Sequence, residues 1–146
     1  MGHHDKKHNE PIQQTGSKIP REGLGNQQAQ ADFEVDFFQK IIELNPQYVD
    51  VLRVLGNLLT LKGKYAEGMA IDKRLVRLRP SDALAHYNLA CSYALLSRTE
   101  LSLKTLRLAI DLGYSDFHYM REDKDLDSIR HDPRFKKIIK AYENGA

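Results

Sequence analysis

The chain of 146 residues has the length of one domain, and 41% of its residues are hydrophobic, which is enough for a core. Its formal charge of +2 gives no strong attraction to nucleic acid or to acidic membranes. The single cysteine, Cys91, excludes an intramolecular disulfide, and no apolar run approaches the roughly 18 residues of a membrane span. Because the first thirty residues also lack the apolar centre of a signal peptide, we expect a cytoplasmic protein without nucleic-acid or membrane partners.

Residues 1–30 form a polar stretch rich in His, Gln, Asn, Lys and Gly. Its sizeable apolar side chains are Ile12, Ile19 and Leu24, too few to offset the entropy lost when a chain becomes ordered. The composition therefore predicts a disordered tail.

The start of this tail contains one arrangement that could bind a metal. If the initiating methionine is removed, the new terminus Gly2-His3-His4 could hold a copper or nickel ion through the amine, backbone nitrogens and imidazole. A solvated polar tail is the simpler interpretation of these residues. We therefore predict no metal site and no cofactor.

The first predicted helix spans 31–44 and carries two apolar stripes. One stripe consists of Phe33, Phe37, Ile41 and Leu44, and the other consists of Ala31, Val35, Phe38 and Ile42. Two stripes require two packing partners. The region that should supply a preceding helix, 15–28, is interrupted by Pro20 and several glycines, so one stripe has no partner in the pattern. We expect the tail to cover it through Ile19 and Leu24, or another chain to dock there, on the face formed by Phe33, Phe37 and Ile41.

The central part of the chain, 48–112, matches itself when it is shifted by thirty-four residues. Pro46 and Pro80 stand at this separation, as do the small residues Gly56 and Ala90. Self-similarity at this period indicates helical repeats that stack because one unit cannot bury its apolar face alone. The pattern predicts two antiparallel helix pairs, 48–61 with 65–78 and 82–95 with 99–112.

Turn and capping residues separate these predicted helices. Gly63 interrupts the first pair, Ser81 follows Pro80 as a candidate N-cap, and Gly113 is a candidate stop after the last helix.

The repeat resembles the tetratricopeptide repeat (TPR). Positions of the family pattern are filled in the first copy by Leu52, Leu55, Gly56, Leu59, Gly63, Tyr65, Leu75 and Pro80, and in the second by His86, Leu89, Ala90, Tyr93, Leu106 and Ala109. The resemblance implies an all-α fold, a short right-handed superhelix. Its array would occupy 31–112, with a half repeat at 31–46 and full repeats at 47–80 and 81–114.

The sequence departs from the family pattern at four positions. Gly68 and Ser102 stand where the family prefers alanine, Asp72 stands where it prefers an aromatic residue, and Tyr114 replaces the closing proline. Small residues at helix crossings allow close approach, so the first two departures should preserve the geometry.

Residues 115–146 no longer follow the repeat. Their run from Asp125 to Arg130, followed by Asp132-Pro133-Arg134-Phe135, resembles the closing segment of many bacterial TPR proteins. Asp132 can cap the last helix and Pro133 suits its first position. Large apolar side chains recur there at helical spacing: Phe135, Ile138, Ile139 and Tyr142. We therefore predict a C-terminal capping helix that covers the end of the stack.

Catalytic patterns are missing from the sequence. Cys91 lies among apolar residues of a repeat helix, where a small core residue is expected, and capping explains the carboxylates of Asp125 and Asp127. We predict that the chain is not an enzyme.

Ligand binding in TPR proteins takes place on the concave face, so the resemblance implies a groove. Its predicted lining consists of Asp50, Arg53, Asn57, Thr60, Leu84, Tyr87, Asn88 and Cys91. Chaperone-binding members hold a terminal carboxylate with a Lys-x-x-Gly-Asn run and a further asparagine. Arg53-x-x-Gly56-Asn57 and Asn88 match these two elements, while the family's third element, a basic pair, has no match.

The predicted function is therefore an adaptor that binds a peptide or helix of a partner protein in the groove. The alternative is a structural subunit that forms a homodimer or a larger assembly through helix 31–44.

Overall fold

A computed structural model describes the backbone of residues 24–145 and the side chains of 29–30 and 32–145. This part of the chain contains eight α-helices and one short 3-10 helix, and no strand. The helices are α1 (Leu24–Leu44), α2 (Val49–Leu61), α3 (Tyr65–Leu78), α4 (Ala83–Leu95), α5 (Thr99–Asp111), α6 (Phe117–Glu122), the 3-10 helix (Lys124–Leu126), α7 (Asp127–Arg130) and α8 (Pro133–Glu143). No helix in this part is both long and apolar enough to cross a membrane.

The helices from α1 to α5 stack in chain order. Each packs against the next, with α2 and α3 forming one pair and α4 and α5 the other. The bounds of these four helices lie within one residue of the predicted ones. The predicted fold class, an all-α helical-repeat solenoid, is confirmed.

The structure corrects the predicted start of α1, which begins at Leu24 rather than at residue 31. Residues 24–30 therefore belong to the helix and not to a disordered tail. The stretch 27–31 contains only glutamine and alanine, which favour helix. The prediction placed the start of the helix where its apolar stripes begin. Such stripes show where a helix packs, whereas a helix can extend beyond its packed part. The rest of the predicted tail, including Gly2-His3-His4 and Ile19, lies outside the described residues, as does the side chain of Leu24.

Left-handed backbone conformations follow four of the helices, α2, α4, α5 and α8, the last at Gly145 with φ 81°. Gly63 and Gly113 have φ values of 78° and 117°, consistent with their predicted roles. Ser97, thirty-four residues after Gly63, adopts φ 58° without being glycine. The N-cap of α4 is Asp82 rather than the predicted Ser81, and its carboxylate accepts the backbone N–H of Ala85 at 3.1 Å. The reason is that α4 begins at Ala83, one residue later than predicted.

Two apolar clusters form the interior. The N-terminal core joins α1 to α4 and includes the buried side chains of Val35, Leu52, Leu55, Leu59 and Leu75. The C-terminal core joins α4 and α5 to the segment that follows them. Ser102 is fully buried at the α4–α5 crossing, where its hydroxyl donates to the Ala90 carbonyl at 2.8 Å. A serine thus fits the place of the family's alanine.

The closing segment, residues 117–143 with α6, the 3-10 helix, α7 and α8, covers the C-terminal end of the stack. Its inward side chains are buried in the C-terminal core: Met120, Leu126, Ile129, Phe135, Ile138 and Ile139. Asp132 caps α8 by accepting the N–H of Arg134 at 2.9 Å, with Pro133 at the first position. The Arg130 guanidinium donates to the backbone carbonyls of Met120, Arg121 and Asp123 and so ties the turns of this segment together.

The N-terminal end of the stack has no comparable cover within the described residues. One face of α1 packs on α2, whereas the side chains of Phe33, Phe37 and Leu44 are 67%, 53% and 90% exposed. Ile41, predicted to share their face, is half-buried and packs against the N-terminal core. An ion pair of 2.7 Å joins Asp32 of α1 to Lys62 at the end of α2.

Candidate binding groove

The eight predicted groove residues all lie on α2 or α4, the first helices of the two pairs. Five of them line one small cavity: Asn57, Thr60, Tyr87, Asn88 and Cys91. Its volume of about 20 Å³ suits a single water-sized group. Leu84 lines a separate cavity of about 340 Å³ beside Gly113 and Tyr114, and Asp50 is exposed to solvent.

The closing segment covers two of the predicted groove residues. The Tyr87 hydroxyl donates to Asp123 Oδ2 at 2.7 Å, and the Tyr87 ring stacks on Tyr114 with centroids 4.1 Å apart. The Cys91 thiol lies 3.8 Å from the same carboxylate oxygen. Only 2% of Tyr87 and 6% of Cys91 remain exposed. A partner therefore cannot reach either side chain while this segment is in place.

Burial also fixes the chemistry of these two groups. It raises the pKa of the Cys91 thiol and that of the Tyr87 hydroxyl well above their ordinary values. Cys91 therefore stays protonated and is a poor nucleophile, which agrees with its interpretation as a core residue.

Arg53 is engaged within the fold. It donates from Nη2 to Asp82 Oδ2 at 2.6 Å, and its side chain is only 15% exposed. Partial burial raises the pKa of Asp82, but hydrogen bonds from Arg53 and from the Ala85 N–H outweigh this and hold it below its ordinary value. Arg53 thus joins α2 to the start of α4, and it is not free to grip a partner's carboxylate as the chaperone-binding pattern requires.

A buried carboxylate joins three helices beside the cavity. Asp72 of α3 is 6% exposed and accepts the Ser92 hydroxyl of α4 at 2.6 Å. Burial raises the pKa of Asp72 to about 7, against the lowering effects of Ser92 and Arg53. A Cβ added to Gly56 of α2 would lie 2.8 Å from Asp72 Oδ1. The glycine therefore makes room for the aspartate, a coupling that the repeat pattern alone did not reveal.

The cavity is acidic, which sequence reasoning missed. Asp72, Asp123 and Asp125 line it, and none of its lining residues is basic. The last two were assigned to the closing motif, and Asp123 does accept the N–H of Asp125 at 3.0 Å there. The missing signal was spatial, because the closing segment folds back across α4.

Ligand atoms of Cys91, Asp123 and Asp125 lie within 4.8 Å of one another. Both carboxylate oxygens of Asp123 already accept hydrogen bonds from Tyr87, Cys91 and Asp125. Hydrogen bonding within the fold accounts for this cluster, so it gives no reason to infer a metal.

Comparisons with known proteins agree with this geometry at the level of the fold. No family model matches the chain. A curated chloroplastic protein of Arabidopsis thaliana is 31% identical over 84 residues, which make up 56% of this chain and 25% of that protein. The chain thus spans about a quarter of the length of this curated relative.

A solved structure gives a second likeness. The MamA RS-1 ArsTM double mutant, a TPR-type protein, is 20% identical, and the match covers 98% of this chain and 82% of that one with a TM-score of 0.58. The stacked helix pairs and this likeness together show a TPR-like helical-repeat fold.

Proposed function

We propose that this chain is a non-catalytic interaction module that holds a peptide or helix of a partner protein in the groove between α2 and α4. The observation that carries the proposal is the polar cavity in that groove, which opens beside the amides of Asn57 and Asn88. Both side chains are partly exposed on adjacent repeats. Each amide can donate to and accept from the backbone of an extended segment.

The charge of the cavity favours a particular chemistry in the partner. Asp123 and Asp125 line it, and Arg53 is held by Asp82. Asp72 adds a carboxyl group whose pKa is about 7, so it contributes only part of a negative charge at neutral pH. A lysine side chain of the partner would therefore be attracted, whereas a terminal carboxylate would be repelled. The volume of about 20 Å³ suits a single ammonium group better than a guanidinium.

Site-specific photo-cross-linking in native extract tests this proposal. A photoreactive residue at Asn88 should capture a partner, whereas the same residue at Leu108, which is 43% exposed on α5, should not. Asn57→Ala should reduce capture from position 88 without lowering the melting temperature by much. Equal capture from both positions, or none from position 88, would contradict binding in the groove.

A second candidate function is assembly through α1. The exposure of Phe33 and Phe37 favours it, because monomeric proteins rarely leave large aromatic side chains together in water. In this case the chain would be a structural subunit, and binding in the groove would be an additional property.

A further inference from the structure

The two ends of the stack carry complementary surfaces. The N-terminal patch consists of the exposed apolar side chains Phe33, Phe37 and Leu44. Over residues 32–44 of α1, four acidic residues stand against one basic residue, which is a net charge of −3. Asp36 and Glu43 are both exposed and follow the patch along one flank.

The opposite end of the molecule contains a cleft of about 510 Å³, here called the C-terminal cleft. Phe135 and Ile139 of α8 contribute its apolar lining, and Lys136, Lys140 and His131 stand at the same cleft. Lys136 and Lys140 are exposed, and neither makes an ion pair with any side chain that the structure describes. Phe135 and Ile139 are only 3% and 4% exposed, so they form a small apolar floor. The rim is mainly basic, because its one carboxylate, Glu143, is paired with Arg121.

We propose that the N-terminal patch of one copy docks into the C-terminal cleft of a second copy, head to tail. This inference rests on the second candidate function, assembly through α1, and names its partner. The cleft is large enough for an aromatic side chain, and the acidic flank of α1 would meet the lysines at the rim. Pairing two N-terminal patches would instead bring two acidic flanks together.

A head-to-tail contact uses different surfaces on the two copies, so it leaves one free patch and one free cleft on every dimer. Unless a rotation closes the ring, such contacts extend into open chains. The mean mass should therefore rise with protein concentration without a plateau at two copies. Because the rim contacts are ionic and exposed, added salt should shift the equilibrium towards monomer.

Sedimentation velocity of three full-length chains tests the proposal. The patch variant carries Phe33→Ser and Phe37→Ser, and the cleft variant carries Lys136→Glu and Lys140→Glu. All four positions are exposed, so both variants should fold like the wild type, which circular dichroism checks. The wild-type chain should self-associate, each variant alone should remain monomeric, and an equimolar mixture should stop at a one-to-one dimer through the single intact pair of surfaces.

Three outcomes would overturn the inference. A wild-type chain that stays monomeric at every concentration would exclude self-assembly. A cleft variant that associates as well as the wild type would show that the patch does not use the cleft. A mixture of the two variants that stays monomeric would exclude the head-to-tail pairing. If the cleft variant itself misfolds, Lys136→Gln with Lys140→Gln takes its place.

The groove proposal stands or falls separately. Cross-linking from Asn88 can be repeated in the monomeric patch variant, whose substitutions lie on α1 and not at the cavity. If the patch variant still captures a partner from position 88 and the mixing experiment fails, the self-assembly proposal is wrong and the groove-binding proposal stands.

Discussion

The two ends of this helical stack differ in how far their apolar side chains are buried. At the C-terminal end, the closing segment buries six large apolar side chains and ties its own turns through Arg130. At the N-terminal end, α1 buries Val35 and Ile42 but leaves Phe33 and Leu44 in solvent. Repeat arrays need a cap at each terminus because a repeat face is apolar. Within the described residues, 24–145, the chain thus caps the C-terminal end of the stack and leaves an apolar surface at the N-terminal end.

Removing the cap should have the largest effect. A chain that ends at Gly113 loses the buried side chains of the closing segment and exposes Tyr87 and Leu106 beneath them. Burial of each large apolar side chain contributes roughly 1.5–3 kcal/mol, and the total stability of a domain is only about 5–15 kcal/mol. We expect an insoluble or molten product, measured by near-UV circular dichroism and dye binding.

The matched control for this truncation is a chain that ends at Glu143, which removes only residues 144–146 after α8. It should melt like the full chain. A cooperative, well-folded product that ends at Gly113 would show that the repeats need no C-terminal cover.

The same substitution, leucine to alanine, should have clearly different effects on stability at the two ends of the stack. Leu126 in the closing segment is fully buried, whereas Leu44 in α1 is 90% exposed. Leu126→Ala should lower the free energy of unfolding by roughly 2–5 kcal/mol, because it removes packed atoms and leaves a cavity. Leu44→Ala should change it by no more than about 0.5 kcal/mol. Urea denaturation measures both, and similar losses at the two positions would contradict the proposed difference between the ends.

Between the ends, the buried Asp72 should make stability depend on pH. Its pKa is raised from 3.8 to about 7 on folding, so the folded state holds a proton that the unfolded state releases. Stability should therefore fall as the pH rises from about 4 to about 7 and stay level above that. The loss integrates to on the order of 4 kcal/mol, which Asp72→Asn should remove.

Unfolding of wild type and Asp72→Asn at pH 5 and pH 8 measures this contribution. The free energy of unfolding of the variant, relative to that of the wild type, should be higher at pH 8 than at pH 5. Other titrating carboxylates are common to both chains and cancel in the difference. An equal difference at the two pH values would mean that Asp72 is ionised in the folded protein across this range.

The smallest expected effect concerns the ion pair that fastens α1. Lys62 contacts Asp32 at 2.7 Å, and the Asp32 side chain is 60% exposed. Lys62→Met should lower the free energy of unfolding by roughly 0.2–1 kcal/mol, and about 1 M salt should remove the difference by screening. A difference that persists in high salt would assign the effect to packing rather than to charge.

The sequence predicted the repeat helices well because their signal is local. The thirty-four-residue period gave the bounds of α2 to α5, and Asp132 with Pro133 marked the start of α8. The start of α1 was misplaced because glutamine and alanine carry no apolar stripe.

The surroundings of the candidate groove residues were harder to predict from the sequence, for a physical reason. Periodicity identifies which helix faces meet, and the structure places Asn57 and Asn88, which share such a face, at one cavity. It contains no information on how far the closing segment reaches over α4, so the burial of Tyr87 and the acidic lining from Asp123 could not be foreseen. The pairing of Arg53 with Asp82 likewise depends on the packing of two helices.

The central claim, that the described residues cover the C-terminal end of the stack and leave the N-terminal end open, is tested most directly by amide hydrogen exchange in dilute protein. Opening free energies should be lower along 35–44 of α1 than along 135–142 of α8, because α8 buries three large apolar side chains there, Phe135, Ile138 and Ile139, whereas α1 buries only Val35 and Ile42. Slow exchange in α8 together with markedly faster exchange in α1 is the predicted result. Equal or greater protection of α1 would contradict the claim, since it would mean that the N-terminal end is as well covered as the C-terminal one.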